Sequence, residues 1–551
     1  MRLPLHGRDI DRDKPLNFTF DGRAIPAFQG DTIASALLAQ GTRLMGRSFK
    51  YHRPRGPLTA DSAEPNALVT THQGAHAVPN TRATVQEVFD GLTAGSQNAW
   101  PSLRFDALGI NDRLAPFLGA GFYYKTFMWP KAAWERLYEP LIRRAAGLGS
   151  LSGDPDPWRQ ERAFAHCDVL VVGGGPAGLV AALTAAQSGA SVILCDEQDR
   201  PGGRLLSEAE DIDDRPAQAW AADMARQLEE AGARLLTRTT VTGAYDQGTY
   251  AALERVSHHV PDPHPDLPRD CFWRIAARRT ILATGALERP IAFPMNDRPG
   301  ILLASATRSY MHRWGAVPGR RVAVFTNNDD GHRTVADLRA AGVDVAAVID
   351  PRDDAPGEAI HGVVTDTQGH LGLTGITVRT NQGGRRDVEC DTLAVSGGWT
   401  PTIHLASHKG ARPTWDTDRA AFLATPTDDL RPAGAAAGLQ TTAEALRSGA
   451  DAAATALDSL GRTHTPVTLP RADDTPTAHH PLWAVDAPHT ARHRAWLDLQ
   501  NDVTTKDITQ AAKENFASVE HMKRYTTQGM ATDQGKNSNL AALAILADAT
   551  G

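Results

Sequence analysis

The run Gly173-Gly174-Gly175-Pro176-Ala177-Gly178 sets glycines at its first, third and sixth positions, a spacing suited to a diphosphate. The first glycine permits a tight turn, Gly175 lets backbone approach the pyrophosphate, and Gly178 lets a helix pack against a strand. That helix would present amide donors and its positive dipole end to the anion, with Pro176 in the first turn, where a missing N–H costs little. Asp196 follows Gly173 by 23 positions, the separation at which a carboxylate hydrogen-bonds a ribose diol. Glu197 adds a second carboxylate, which disfavours a 2′-phosphate, so NAD or the ADP half of FAD is preferred over NADP. A glycine turn without a ligand is the bland alternative, and the surrounding pattern weighs against it.

Other chemistry is sparse. The four cysteines, Cys167, Cys195, Cys271 and Cys390, are scattered, whereas zinc and iron–sulfur sites want grouped thiolates. No metal site is expected, and Cys195 reads as a core residue in the apolar run Val192–Cys195. His52, in Lys50-Tyr-His-Arg-Pro-Arg55, has no acidic or nucleophilic partner identifiable from sequence. That basic stretch reads as docking a partner or pairing with local carboxylates, since it is too small for a nucleic-acid patch. Lys523, Arg524, Thr526, Thr527 and Lys536 gather cations and hydroxyls around a helix end and a glycine loop, which suits a phosphate. A solvated basic helix end is the alternative.

The elements that must position these groups follow from periodicity. Asp168–Val172 reads as a short buried strand, Gly178–Ser188 as an Ala/Leu-rich helix and Val192–Leu194 as the next strand, a βαβ unit. A second alternation runs through a strand at Arg321–Thr326, a helix at His332–Ala341 and a strand at Val343–Ile349. Residues 1–100 read as a small β-rich domain: Asp21-Gly22 signals a hairpin, and Asp31–Gln40 a short helix stopped by Gly41. Residues 101–165 are an aromatic, Pro-rich connection containing Phe122–Trp129, which packs on its own chain or wraps another subunit. Residues 148–162 read as a linker within it. The expected division is a dinucleotide-binding domain at 166–300 and 378–460, an inserted second unit at 301–377, a linker at 461–495 and a helical module at 496–551.

Composition excludes several classes. With 57 Lys+Arg against 64 Asp+Glu in 551 residues, the net charge is −7 and there is no large basic block, contrary to a nucleic-acid-binding surface. No apolar run approaches the roughly 18–20 residues that span a bilayer, and the polar N-terminus is no secretory signal. A cytoplasmic location is the default expectation.

Thr280-Ile-Leu-Ala-Thr-Gly285-Ala286, with Leu287-Glu-Arg-Pro290, resembles the strand–turn signature of two-dinucleotide-binding flavoprotein oxidoreductases. The segment Asp429–Gly438 and the helix near Thr442 resemble the closing segment of that superfamily. The resemblance implies an α/β fold: a Rossmann-like core of the disulfide-reductase type with an N-terminal ferredoxin-like domain and a small helical C-terminal module. Two departures stand out. Thr326-Asn-Asn-Asp-Asp-Gly331 replaces the second glycine motif, putting Asp329 and Asp330 where a pyrophosphate would sit. Ala435 follows Gly434 where a Gly-Asp pair usually holds a flavin, so NAD is expected in preference to FAD.

Five further stretches make the resemblance specific: Gly46–Gly56, Glu64–Leu68, Phe325–Asp330, Gln500–Thr504 and His521–Lys536. They resemble the α subunit of heterotetrameric sarcosine oxidase, in the same order from about residue 15 to the C-terminus. The resemblance implies NAD in the first site, FAD on the β subunit, FMN at the α/β interface, and γ and δ partners. It implies oxidation of sarcosine to glycine, a formaldehyde equivalent and hydrogen peroxide. Carried over, Gly173, Gly175, Ala177, Gly178, Asp196, Glu197, Gln198, Gly203 and Arg204 would contact NAD. So would Val241, Gly285, Ala435, Gly438, Thr441 and Thr442, while the Lys523–Lys536 group would take the FMN phosphate. No catalytic residue is assigned. The N-terminal domain and the tail resemble modules that bind [2Fe–2S] in relatives, but neither has a cysteine, so no iron–sulfur cluster is expected. Longer family members continue past the stretch matching Ala547–Gly551 into a folate-binding, aminomethyltransferase-like domain. The alternatives are a non-catalytic NAD-bearing assembly subunit and a free-standing FAD-dependent NAD(P)H oxidoreductase.

Overall fold

The computed structural model describes residues 1–126, 129–145, 149–464, 467–475, 477–487 and 493–551. Parts of the aromatic run 122–129 and of the connections expected at 148–162 and 461–495 lie outside them. The chain forms two compact units, one of residues 1–156, 288–398 and 479–551, the other of residues 157–287 and 399–478.

The second unit is built on a seven-stranded sheet. Strands Arg234–Leu236, Val192–Cys195, Gln160–Val172, Asp270–Leu282 and Leu430–Pro432 run parallel in that order. Thr249–Arg255 and Thr239–Ala244 extend the sheet antiparallel. Val169–Val172 are buried, as a strand covered on both faces requires. The following helix, Pro176–Gln187, buries every residue but Gln187. Its small Ala and Gly side chains let it lie against the sheet and against helix Thr442–Ser459.

In the first unit, hairpin strands Asp11–Phe20 and Arg23–Gln29 turn through Asp21 and Gly22, both at positive φ, the geometry a two-residue hairpin needs. They join Thr93–Ser96, Leu68–Thr71 and Val78–Arg82 in a five-stranded sheet beside the fully buried helix Ile33–Ala39, which a Thr32–Ser35 capping box starts. The inserted segment forms its own seven-stranded sheet, ordered 301–303, 392–396, 321–326, 344–350, 360–368, 375–380 and 385–389. The insertion therefore runs past residue 377, because strand Thr392–Ser396 is a central strand of this sheet, paired on both edges. Helices Thr505–Lys513, Val519–Thr526 and Asn539–Thr550 make the C-terminal module, around Ile508, Ala511, Met522, Ala542 and Leu546.

Candidate functional site

Strand Gln160–Val172 delivers the chain to Gly173, whose φ is +101°. A Cβ there would lie 2.3 Å from the Ala283 carbonyl oxygen, and one at Gly178 would lie 1.9 Å from the Gly173 carbonyl oxygen. Both positions admit only glycine. Gly175, at the N-cap of the helix, differs: no atom lies within 4 Å of where its Cβ would be. The helix N-terminus is thus open on the side from which an anion would approach. Gly203, at φ +55°, brings a second backbone to it, with its own Cβ position 3.0 Å from the Gly175 Cα, and the Gly202 amide donates to the Gly174 carbonyl at 2.7 Å.

Asp196 ends the second strand, buried. One carboxylate oxygen accepts from the Gly174 amide at 2.6 Å and the other from the Gln198 amide at 2.8 Å. Burial pushes this carboxyl up to about 6, against the pull of those amides. Two donors leave lone pairs on both oxygens for ligand hydroxyls. The Glu197 carbonyl accepts from Arg255 at 2.7 Å, and the Gln198 carbonyl accepts from the Arg238 amide. Arg204 pairs with Glu208 and stacks on Trp399 at 5.3 Å. Val241 is buried in the sheet. Gly285, at φ +70° with open space at its Cβ position, accepts from the Thr402 amide.

The closing segment is a short 3-10 turn at Gly434–Ala437 ahead of helix Thr442–Ser459. The Ala177 methyl faces it: a Cβ on Gly434 would come within 2.8 Å of that methyl. The Gly434 amide donates to Ser448 at 3.1 Å, Gly438 accepts from Arg419 at 2.7 Å, and Ala435 supplies no carboxylate. Thr441, expected at the ligand, is the N-cap: its hydroxyl accepts from the Glu444 amide, and the Glu444 carboxylate accepts from the Thr441 amide.

The second α/β unit closes the equivalent opening with its own side chains. Asn328 caps helix Asp329–Ala340 by accepting from the Gly331 amide at 3.2 Å, and its side-chain amide donates to Ser396. Asp329 and Asp350 pair with Arg352 at 2.9 and 2.8 Å, and His332 meets Asp350 at 2.9 Å. The Gly331 amide and the Asp329 and Asp350 carboxylates are thus engaged internally.

Of the five residues expected at a phosphate, Lys523, Arg524, Thr526 and Thr527 sit at the C-terminal end of helix Val519–Thr526, where the helix dipole favours cations, and Lys536 follows in the loop beyond it. Thr526 is buried, donating to the Met522 carbonyl at 2.8 Å and accepting from the Gln528 amide. Thr527 donates to the Thr526 carbonyl, Arg524 pairs with Glu520 at 3.4 Å, and Lys536 lies near Asp533. All four cysteines are free and buried. Burial pushes Cys167 and Cys390 up to about 12, Cys271 to about 11 and Cys195 further, so a thiolate nucleophile is not available at neutral pH.

Sequence reasoning missed two features of the Lys50–Arg55 stretch. His52 does have an acidic partner: its Nδ1 lies 2.7 Å from Asp106, both side chains fully buried. Burial alone would raise the Asp106 carboxyl, but the His52 bond and the amides of Trp100 and Leu108 outweigh it and hold it low. Arg53 bonds Asp297 at 2.5 and 2.9 Å, and Arg55 bridges Asp297 and Asp502. The Asp502 carboxylate also accepts from the Lys50 and Tyr51 amides. The signal lay in the arginine pair of this basic stretch, but the carboxylates that Arg55 bridges are 242 and 447 residues away.

A glycine-cradled helix on a parallel sheet, an inserted α/β unit and a β-rich N-terminal domain define a mixed α/β fold of the FAD-dependent oxidoreductase type. Residues 168–265 match the family described as FAD dependent oxidoreductase, and residues 13–99 the 2Fe-2S iron-sulfur cluster binding domain. L-proline dehydrogenase from P.horikoshii shares this fold, with a TM-score of 0.68 at 19% identity over 100% of this chain and 95% of that one.

Residues 492–551 match the sarcosine oxidase A3 domain. The chain is 50% identical to sarcosine oxidase subunit alpha of Rhizobium meliloti (strain 1021), covering 100% of this chain and 56% of that protein. It is 36% identical to the subunit alpha of Corynebacterium sp. (strain U-96), over 99% of this chain and 54% of that protein. The chain is thus similar over its whole length to sarcosine oxidase α subunits and spans about half the length of these curated relatives.

The match at residues 13–99 corrects the expectation that no iron–sulfur cluster would belong to the chain. The matched residues nevertheless contain no cysteine, the ligand such clusters take. The donor set does not fit the group, and no step is derived through it. Among the described residues no helix is long and apolar enough to cross a membrane.

Proposed function

We propose that the chain is the dinucleotide-binding part of an α-type subunit in a sarcosine oxidase-like complex, with NAD in its first Rossmann site. The observation that carries this reading is the contrast between the two nucleotide-type openings. The Gly173–Gly178 cradle is open at Gly175, while the Asn328–Gly331 loop is capped and ion-paired from within. In this reading Gly173, Gly175 and Gly178 hold the pyrophosphate, with Gly203 and Arg204 closing over it. Asp196, Glu197 and Gln198 bind the adenosine ribose, its diol donating to the ionised Asp196 carboxylate. Ala177, Val241, Gly285, Ala435 and Gly438 shape the pocket wall, and Thr441 and Thr442 hold the closing helix in place. When bound, NAD supplies a nicotinamide able to take or give hydride.

In this reading amine oxidation takes place on a flavin-bearing β subunit. There sarcosine, water and oxygen would give glycine, a formaldehyde equivalent and hydrogen peroxide. The exposed apolar side chains of the connecting segment, Phe105, Leu114, Phe117 and Trp129 among them, suit a subunit contact. The β, γ and δ partners belong to this reading. So does FMN at the interface, with Lys523, Arg524 and Lys536 as its phosphate cations and Thr526 and Thr527 as helix-end supports. Four reduced, buried cysteines fit a cytoplasmic setting.

A second reading, FAD in the same cradle, is favoured by the family match over residues 168–265. Chromatography of nucleotides released from the purified chain decides between the two. NAD is expected, and a flavin absorbance band near full occupancy overturns it. An Asp196→Ala variant is expected to weaken NAD binding at least tenfold with its circular dichroism unchanged.

A further inference from the structure

Within the first unit, residues from the N-terminal segment, the insertion and the C-terminal segment enclose a cavity of about 600 Å³. This is the size range of small-ligand pockets, and it lies in a different unit from the Gly173 cradle. Arg53, Arg113, Arg298 and Arg494 line it against only two carboxylates, Asp112 and Asp366.

The carboxylates are already committed. Asp112 is shared by Arg53 at 3.1 Å and Arg494, and Asp366 faces His493 at 3.3 Å. The further contacts of Arg53 go to Asp297 behind the wall, which Arg55 also uses. Arg298 donates to the Thr367 hydroxyl at 2.8 Å and to the carbonyls of Thr367 and Gly369. No carboxylate lies within ion-pair distance of Arg298 or Arg113 among the described residues. Arg494 stacks between Tyr51 and Trp496 at 4.7 and 4.8 Å, and its Nε and one terminal nitrogen are buried without a hydrogen bond. Arg298 and Arg113 thus bring charge to the cavity without a carboxylate of their own, and a carboxylate or phosphate accepts from two donors of a planar guanidinium fork at once. Met295, Ala115 and Pro116 give the same wall an apolar part.

We propose that this cavity binds a small organic anion, a carboxylate or phosphate group on an apolar body, neutralised by the four-arginine wall. The charged end engages Arg298, Arg113 and Arg494, and the body lies against Met295 and Pro116. The site is independent of the dinucleotide reading.

Calorimetric titration of the full chain with benzoate, phenyl phosphate and neutral benzamide tests it. Benzoate or phenyl phosphate is expected to bind at least tenfold more tightly than benzamide. Whichever of the two binds more tightly identifies the headgroup. Arg298→Gln and Arg113→Gln are each expected to weaken that binding about tenfold while leaving NAD binding in the same protein unchanged. The second variant guards against loss of the Arg298 carbonyl contacts. Equal binding of all three probes, no binding of either anion, or anion binding untouched by both variants overturns the proposal.

Discussion

The Asp196 carboxylate serves the fold and, in the proposed function, the ligand as well. Its bonds to the Gly174 and Gln198 amides set the loop geometry, and burial raises it to about 6. A ribose diol donates best to the ionised form, so protonation at lower pH removes an acceptor. NAD affinity is therefore expected to rise between pH 5 and 7, by up to about tenfold as the carboxyl ionises. In an Asp196→Asn variant the profile should flatten. Titration calorimetry across this range checks both, and a flat wild-type profile would remove Asp196 from the ribose. The glycine roles were legible in the sequence because a motif states backbone requirements directly. The His52–Asp106 pair was not, because 54 residues separate its members and nothing local marks the partner.

At the scale of elements, Thr441 shows how a position can be found for one reason and matter for another. The resemblance places it at NAD, while the structure makes it the N-cap of helix Thr442–Ser459 in a reciprocal box with Glu444. Thr441→Ala is expected to cost about 1 kcal/mol of stability, read from urea unfolding, with NAD binding weakened only as far as the helix end frays. The Thr-x-x-Glu spacing is visible in the sequence, but the ligand expectation overshadowed it. The Ala-rich helix and the strand at Val192 were readable from periodicity to within a few residues, but the strand before Gly173 starts eight residues earlier than its apolar run, at Gln160, because the exposed residues ahead of Cys167 pair with 270–276. The extent of the insertion was not, because strand Thr392–Ser396 is as apolar as a core strand of either sheet, and only pairing assigns it.

For the whole molecule, buried carboxyls set the pH at which the fold is most stable. Asp196 is raised to about 6, and burial lifts Glu288 and Asp533 to about 7. Because their folded values exceed the unfolded ones, their contribution is full below about pH 4 and is lost as pH rises through 6 to 7. Glu514 moves the other way, held at about 2 chiefly by Lys125 and Tyr525, and Asp297 is held low by Arg53 and Arg55 against its burial. Those contributions are present above about pH 4 and vanish as pH falls through the lower values. From these carboxyls the thermal midpoint is therefore expected to peak near pH 4 and to fall from there to about pH 7, as scanning calorimetry would record. A midpoint still rising from pH 6 to 8 would contradict these shifts.

The Arg55 bridge also constrains how the chain can be made. Its guanidinium leaves the ribosome early, Asp297 follows 242 residues later and Asp502 447 residues later. Until then the N-terminal sheet can form, but burying Arg55 would strand a charge without its counter-ions. The first unit is sealed last, and its two outer segments stay apart through most of synthesis.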